Sequence, residues 1–374
     1  MSATVAARED PPGCRGEDET PARLADRVFE ELGSFIAGHA DLLRSVHPDL
    51  GLLADAASSA VLDGGKRLRP SFAYWGWRCV QPAGAPAEIA LLRAAASLEL
   101  VHACALVHDD VMDGSDTRRG GPAAHIRFGR QHGQRNWPGS ARSFGHAGAI
   151  LLGDLLLSWS EEMFSEAIGP LPMSRAAAAR IHFDLMRTEL VAGQFLDVLA
   201  QTRGDFDVDE ALRVIRFKTT KYTVQRPLLL GAAAGGADRP VLAQLSDYGN
   251  AVGEAFQLRD DLLGVFGDPA ATGKPAGDDL RAGKRTLLLA LAIRLADAEQ
   301  LSILRAGIGR PELTEVEVTR LRETIRATGA TAEIEQRIAA RAAEAISCLA
   351  ADTLRPEARQ ALLELAYTAT QRDF

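Results

Sequence analysis

The amino-acid sequence predicts an all-α fold. Hydrophobic residues make up 47% of the chain and aromatic residues only 6%, a balance that favours helices over strands. Apolar residues recur at three- and four-residue spacings, as on the buried face of a helix, and no convincing period-two alternation interrupts them. The spacing predicts helices over residues 24–45, 86–112, 146–168, 174–201, 208–235, 240–265, 284–297, 315–327 and 331–350.

Clusters of glycine and proline separate these helices in order. Residues 63–65 follow the first predicted helix, residues 120–122 follow the second, and residues 267–269 follow the helix over 240–265. Such clusters mark turns and helix ends. The elements between them are therefore expected to fold back on one another as a bundle.

Domain organisation is predicted to be simple. Residues 1–22 combine proline, glycine and acidic residues without periodicity, and such a segment cannot bury enough apolar surface to fold. We therefore expect a disordered tail. No linker divides the remainder, so residues 23–374 are predicted to form one helical domain, a size that such domains do reach.

The charge balance excludes one class of partner. A net charge of -8 argues against a nucleic-acid binder that relies on a broadly positive surface. It leaves room for a local basic cluster, so any phosphate site must be concentrated in one place.

The cysteines and the N-terminus point to a cytoplasmic protein. Four cysteines lie far apart without a CxxC pair, which favours neither a disulfide framework nor a zinc site. The first twenty residues are polar, and the later apolar runs are interrupted by charged or polar residues. We expect no export signal and no membrane span.

The strongest chemical signal is an acidic cluster late in the predicted helix 86–112. Asp109, Asp110 and Asp113 stand at positions i, i+1 and i+4, so Asp109 and Asp113 share a face. Their mutual repulsion, and the helix dipole that they oppose, favour a bound cation, and oxygen ligands suit Mg²⁺. For a bare DDxxD pattern, a solvated helix end is the alternative.

Basic residues flank this cluster on both sides. Arg118 and Arg119 follow it, and guanidinium groups suit diphosphate oxygens. His102 precedes Asp109 by two turns on roughly the same face, although alone it would be interpreted as a core histidine. Upstream, the GGKRLRP segment at 64–70 combines glycines with three cations, as in an anion cradle.

The order of these motifs resembles the trans-isoprenyl diphosphate synthase (polyprenyl synthetase) family, in particular actinobacterial geranylgeranyl diphosphate synthases. The resemblance continues through FKT at 217–219, FQLRDDLLG at 256–264 and GKPAGDDLRAGKRT at 273–286. It implies the isoprenoid synthase fold, a bundle of mostly antiparallel helices around a central cavity. It also implies a homodimer that acts on isopentenyl diphosphate and an allylic diphosphate.

The resemblance assigns a role to each matching residue. The isopentenyl diphosphate would be held by Lys66, Arg69, His102 and Arg119. The allylic diphosphate would face Arg118, Lys218, Thr219, Gln257, Lys274 and Lys284. Three Mg²⁺ ions, with Mn²⁺ as a substitute, would be held by Asp109, Asp110, Asp113, Asp260 and Asp261, and Gln194 and Asp197 match a further Gln-x-x-Asp pair. The residues closest to catalysis would be Asp109, Asp113, Lys218 and Asp260.

Two features depart from the family pattern. The second acidic cluster usually reads DDxxD, but its third acidic position is Gly264 here. We expect this change to weaken the third metal without abolishing its binding, the alternative being a dead second site. The segment 129–143 is longer than in many relatives, and its residues indicate no particular chemical role.

The implied reaction needs no protein nucleophile. Metals and cations would stabilise the departing diphosphate, and the isopentenyl double bond would then attack the allylic cation. The resulting cation would lose a proton to the released diphosphate. The apolar helix side that carries Leu98, Val101 and Ala105 would shield that cation from water.

Product length is predicted from the residues that precede the first DDxxD. Cys104 and Ala105, with Val101 one turn earlier, are small enough to leave the pocket open. We therefore predict the twenty-carbon geranylgeranyl diphosphate, with longer polyprenyl or farnesyl diphosphates as alternatives. A class I terpene cyclase would not need the isopentenyl diphosphate cations, and a non-catalytic subunit should have lost its aspartates.

Overall fold

The computed structural model describes residues 19–204, 206–267, 277–351 and 353–370. Most of the predicted tail therefore lies outside the described residues. Helix α1 begins at Pro21, where the side chain of Thr20 accepts a hydrogen bond from the Arg23 amide. A hydroxyl at this position satisfies an amide that has no partner within the helix.

The described chain is built almost entirely from helices, which confirms the all-α prediction. The helices are α1 Pro21–Val46, α2 Gly51–Leu62, α3 Leu68–Arg78, α4 Glu88–Met112, α5 Ala124–Gln134, α6 Ala141–Ile168, α7 Met173–Arg203, α8 Val208–Val214, a π-helical segment Ile215–Gln225, α9 Arg226–Gly235, α10 Arg239–Phe266, α11 Asp278–Ala282, α12 Leu287–Leu295, α13 Ala298–Gly307, α14 Glu315–Ala327, α15 Ala330–Cys348 and α16 Pro356–Thr370. A short 3₁₀ turn, Pro48–Leu50, precedes α2.

Several helices were not predicted from the apolar spacing. Helix α3 is buried from Pro70 to Arg78, so its sequence shows no alternation between a solvent-exposed face and a buried face. The unpredicted helices are α2, α3, α5, α11, α13 and α16. The helix predicted over 284–297 begins at Leu287 instead, because Thr286 caps it through the Leu289 amide.

A minimal hairpin follows α4. Strands β1 (Thr117–Arg118) and β2 (Gly121–Pro122) pair antiparallel, with Arg118 opposite Gly121. The sequence did not predict this pairing, since two residues are too few for a period-two pattern. The hairpin holds the two consecutive arginines beside the end of α4.

Two apolar cores lie along α10. The first half of α10 packs in the main core with α3, α4, α6 and α9, whereas its second half packs with α8, α12, α14 and α15. The two acidic clusters are therefore held by different cores. The first lies at the end of α4, and the second lies on the later half of α10.

Helix α4 is long and apolar enough to cross a membrane by length and composition alone. However, 67% of its apolar window is buried within the molecule. This is the behaviour of a central core helix, and α4 packs closely against α6 and α3.

The helix predicted over 208–235 is interrupted by the π-helical segment. Such segments are rare and frequently occur at functional sites. Helix α7 approaches it closely at Gly193, where a Cβ would lie 2.7 Å from the Phe217 carbonyl carbon. Glycine at this position lets the backbone of Lys218 lie directly against α7.

The segment 129–143 forms the corner between α5 and α6. The Trp137 ring packs edge-on against Phe144 with 5.3 Å between centroids, and Arg135 lies over the same ring. The structure thus supplies a packing role for this segment.

Candidate active site

The bundle encloses a cavity of about 680 Å³ between α4, α7, the π-helical segment, α10 and α11. We call it the first cavity. A neighbouring second cavity of about 360 Å³ is shared between α3, α4 and the π-helical segment. Both are lined by Lys66, Leu106, Asp109, Lys218, Thr219, Gln257 and Asp260. Because they share these residues, the two cavities form one continuous site.

Asp109 faces the first cavity and is held by two donors. Gln194 Nε2 donates to its Oδ1 at 2.9 Å, and Lys218 Nζ lies 3.1 Å from the same oxygen. Lys218 also donates to Asp197 at 2.7 Å. Burial raises the pKa of Asp109, but the charge and hydrogen bond of Lys218, with the charges of Lys284 and Arg118, together leave that pKa below its ordinary value. The predicted Gln194 and Asp197 pair therefore lies beside the first acidic cluster.

Asp113 lies at the C-terminal cap of α4, close to Lys284. The distance from Lys284 Nζ is 3.9 Å to Asp113 Oδ2 and 3.5 Å to Asp279 Oδ1. Burial, with the negative charge of Asp109, raises the pKa of Asp113. The carboxylates around Lys284, Asp279 first, raise the pKa of its ammonium group. Lys284 thus connects the end of α4 with the segment after α10.

The Asp110 side chain faces Arg118 and not the first cavity. Its carboxylate is buried and accepts from Arg118 Nε at 2.9 and 3.2 Å, and Arg118 Nη2 also contacts it. Burial, with the nearby charge of Asp109, raises the pKa of Asp110. Asp110 and Arg118 line a separate cavity of about 340 Å³, together with Arg119.

The second acidic cluster lies on α10. Asp260 lines both the first and the second cavity, whereas Asp261 is 5% exposed and accepts from Gln257 Nε2 at 2.7 Å. Burial raises the pKa of Asp261 to about 8, and the negative charges of Asp279 and Asp260 act in the same direction. A charged carboxylate here is costly unless a cation lies nearby.

Three of the four predicted isopentenyl diphosphate residues line the second cavity. It is lined by Lys66, Arg69 and His102. Arg69 donates to the Thr223 hydroxyl at 3.0 Å and stacks over the Tyr222 ring at 4.2 Å, while the Tyr222 hydroxyl lies 3.2 Å from His102 Nδ1. Burial, and then the charge of Arg69, lowers the pKa of His102 far below its ordinary value, so the imidazole is neutral.

Arg119 joins this group from the hairpin. Its Nη1 donates to the Asp63 carbonyl at 2.5 Å, and its Nη2 lies within 3.4 Å of a Cβ built on Gly65. Gly65 has a φ of 113°, a backbone conformation that residues with a side chain rarely adopt. The hairpin and the glycine loop therefore meet at one edge of the site.

The structure adds an ion pair that the sequence reasoning missed. Arg67 adopts a left-handed backbone conformation (φ 49°) and donates to Glu99 at 2.7 Å, with side chains 5% and 2% exposed. Arg67 also donates to the Val61 carbonyl at 2.8 Å. The pair fixes the basic loop to α4. A glutamate within the apolar run at 91–101 was the available signal, because buried charges need a partner.

The remaining predicted residues lie in the cavity walls, in the main core or outside the described residues. Thr219 and Gln257 line both cavities. Lys274 lies outside the described residues. Ala105 lines the second cavity, whereas Val101 and Cys104 are buried in the main core, with Cys104 Sγ 3.8 Å from His108 Nδ1.

The carboxylates form an open arrangement. Among residues 19–204, 206–267, 277–351 and 353–370, no three acidic, histidine or cysteine side chains converge as a closed metal cage. An ion that takes one or two carboxylates and completes its shell with water and phosphate suits this donor set, and Mg²⁺ binds in that way.

Known proteins share this architecture. The polyprenyl synthetase family model matches residues 51–325. The chain is 34% identical to geranylfarnesyl diphosphate synthase of Aeropyrum pernix over 295 residues, covering 78% of this chain and 85% of that one. It is 35% identical to geranylgeranyl diphosphate synthase of Methanosarcina mazei over 300 residues, covering 80% and 84% of the two chains.

One solved structure is similar to this chain over nearly the whole length of both proteins. It is geranylgeranyl pyrophosphate synthase of Corynebacterium glutamicum, complexed with isoprenyl diphosphate and magnesium. That structure is 39% identical, with a TM-score of 0.90, and the match covers 95% of this chain and 100% of that one. The match to the family model and these relatives establish that the chain belongs to the polyprenyl synthetase family of prenyltransferases.

Proposed function

We propose that this enzyme condenses isopentenyl diphosphate with an allylic diphosphate, head to tail and in trans, to give geranylgeranyl diphosphate. The observation that carries the proposal is the meeting of two acidic clusters and several cations around one continuous cavity. Asp109 and Asp260 line it together with Lys66 and Lys218.

The two cavities suit the two substrates. Lys66, Arg69 and His102 line the second cavity, where they would hold the isopentenyl diphosphate with Arg119 at its edge. A class I terpene cyclase ionises a single substrate and needs no second diphosphate site, so this basic cavity supports the synthase.

The allylic diphosphate would lie in the first cavity. Lys218, Thr219, Gln257 and Lys284 line that cavity, and their donors can reach diphosphate oxygens. Arg118 would act from the side through its charge while Asp110 holds it in place. Lys274 belongs to this proposal through the family motif alone.

Asp109 and Asp113 from α4, and Asp260 from α10, would hold the magnesium ions, three in all, with Mn²⁺ as a substitute. When bound, magnesium would neutralise the charge that develops on the departing diphosphate. Asp261 would support Asp260 from behind, since it is buried and bonded to Gln257.

The protein itself would orient the substrates and exclude water. Lys218 and Lys284 place positive charge where the leaving oxygens would lie, and such preorganised charge stabilises the transition state. Leu106, Leu190 and Phe256 form the apolar part of the second cavity wall. These side chains would shield the allylic cation until the double bond attacks it.

The wall of the second cavity also supports a product longer than farnesyl diphosphate. Ala105 lines this cavity one turn before Asp109, and its methyl group leaves room that an aromatic ring would fill. We therefore propose the twenty-carbon product.

We also propose a cytoplasmic homodimer. Ile181, Leu185, Val191 and Phe195 lie on one face of α7 and are 58%, 40%, 66% and 62% exposed. Their spacing places them in a single stripe, and exposed apolar stripes mark interaction surfaces. A second copy of the chain would cover it, as is common among enzymes. Cys79, Cys104 and Cys348 are free thiols, in keeping with a reducing compartment.

Product analysis tests the proposed function. The enzyme would be incubated with isopentenyl diphosphate and, separately, dimethylallyl, geranyl or farnesyl diphosphate, and the dephosphorylated products would be separated by chromatography. We expect geranylgeraniol as the main product. No condensation, or release of a cyclic hydrocarbon from one substrate alone, would refute the proposal.

A further inference from the structure

The second acidic cluster has no acidic side chain at Gly264, but a carboxylate from elsewhere fills the space. A Cβ at Gly264 would overlap Oδ2 of Asp279 and lie 2.8 Å from its Cγ. Non-bonded carbon atoms prefer a separation of about 3.5–4.0 Å. A side chain at 264 therefore cannot coexist with Asp279 in its present position. The missing acid of the motif has a spatial counterpart.

This carboxylate belongs to the same wall of the site. Gly264 lies one turn after Asp260 on α10, and Asp279 lies in the first turn of α11. Gly264, Asp260 and Asp279 all line the first cavity. Asp279, which belongs to α11, thus places its carboxylate where the side chain of an acidic residue at position 264 would start.

The local charge balance suggests a function for Asp279. Its side chain is 12% exposed, and Lys284 Nζ lies 3.5 Å away. Lys284 also faces Asp113 at 3.9 Å, so one ammonium group is shared between carboxylates of two elements. A buried carboxylate is retained at low cost only with full compensation. Asp279 therefore brings a carboxylate, paired with Lys284, to the wall of the first cavity.

We propose that Asp279 replaces the third acidic side chain of the second cluster and helps to hold the magnesium ion that Asp260 binds. This inference rests on the proposed function and names the residue that completes its metal site. It explains how the chain retains a second acidic cluster although the motif in its sequence ends in glycine.

Two variants, one at Asp279 and one at Gly264, test whether the Asp279 carboxylate replaces the missing acidic side chain. Asp279→Asn removes the charge and keeps the shape. Gly264→Ala keeps Asp279 but places a methyl group where its carboxylate lies, and alanine favours the helix, so the fold should be retained. Binding of Mg²⁺ in the presence of inorganic pyrophosphate would be measured by titration calorimetry. We expect both variants to bind Mg²⁺ about ten- to hundredfold more weakly, as for other outer ligands of metal sites.

The neighbouring Asp278→Asn variant is the matched control, because it changes the same charge on the same turn. Its Mg²⁺ affinity should stay close to that of the wild type. Circular dichroism and the denaturation midpoint would verify that each variant is folded. Wild-type affinity in Asp279→Asn or in Gly264→Ala would overturn the inference.

A rescue experiment separates metal binding from a structural role in holding Lys284. In the Asp279→Ala background, Gly264→Asp returns a carboxylate to the same space from α10. We expect Mg²⁺ affinity to recover in this double variant, and no recovery would contradict the proposal. Asp260→Ala serves as the reference that tests the metal site itself. If Asp260→Ala lost affinity while Asp279→Asn did not, the proposed function would stand and this inference would fall.

Discussion

Lys284 Nζ lies 3.9 Å from Asp113 Oδ2, which ties the end of α4 to the segment that follows α10. The two residues belong to motifs far apart in the chain, and their contact brings the two acidic clusters to one cavity. The Lys284 ammonium group, which lies near both Asp113 and Asp279, reduces the repulsion between these carboxylates before any ligand binds. The same cation is placed to meet the leaving group.

Replacing Lys284 should impair catalysis more than folding. Lys284→Ala removes a preorganised positive charge from the first cavity, and we expect kcat to fall by about 10²–10³-fold. Steady-state kinetics with isopentenyl and farnesyl diphosphates would measure the effect. Lys284→Arg, which retains the charge, should keep more activity than Lys284→Ala. A kcat unchanged in the alanine variant would show that Lys284 does not act on the leaving diphosphate.

Enlarging Ala105 should shorten the product. A phenyl ring at this position would project into the second cavity and occupy the space that a growing chain needs. We expect Ala105→Phe to make farnesyl diphosphate as its main product, measured by chromatography after dephosphorylation. Ala105→Ser, with a side chain of similar size, should keep the wild-type product. An active Ala105→Phe enzyme with an unchanged product would place the limit of chain length elsewhere.

Breaking the buried ion pair should destabilise the fold. Glu99→Gln leaves the Arg67 guanidinium buried without its counter-charge, which costs about 3–5 kcal/mol. Denaturant titration would measure this loss of unfolding free energy. The exposed pair of Arg93 and Glu166 provides the control, and Glu166→Gln should cost less than about 1 kcal/mol. Equal effects of both variants would contradict the role given to burial.

Stability should decrease in mild acid because of His182. Burial, and then the charge of Arg226, lowers the pKa of His182 to about 4, against roughly 6.5 for an unfolded chain. Between these two values the unfolded state binds a proton that the folded state does not, so stability is lost as pH falls from about 6.5 towards 4. The loss should be at most about 3 kcal/mol.

Replacing the imidazole tests this assignment. In His182→Gln no proton can bind at this position, so the unfolding free energy should depend less on pH over that range. Urea titrations at several pH values would compare the two proteins. A variant with the same pH dependence as the wild type would assign the effect to other groups.

The sequence predicted which residues lie near the site better than it predicted the helices and contacts that hold them there. Helical spacing predicted that Asp109 and Asp113 share a face, and in the structure Asp109 lines the first cavity while Asp113 lies near Lys284. Asp110 was predicted as a further metal ligand, but its carboxylate is paired with Arg118. Lys66, Arg69 and His102, which the motifs grouped together, line one cavity. Their grouping could be predicted because it depends on residue type and local spacing, and their roles stay predictions.

Other features depend on tertiary contacts that the sequence does not reveal. Helix α3 is buried on all sides and has no periodic pattern. The π-helical segment at Ile215–Gln225 reflects its packing against α7, where Gly193 lets the backbones approach. The filling of the space at Gly264 by Asp279 joins two elements that only the fold brings together.

The central claim is that two acidic clusters grip diphosphate through divalent ions in one cavity. The most direct test is condensation of radiolabelled isopentenyl diphosphate with farnesyl diphosphate, measured with Mg²⁺, after chelation by EDTA, and after Mg²⁺ is restored. We expect product formation to stop with the chelator and to return with the metal, and Asp109→Asn to stay inactive throughout. Undiminished condensation in EDTA, or full activity of Asp109→Asn, would contradict it.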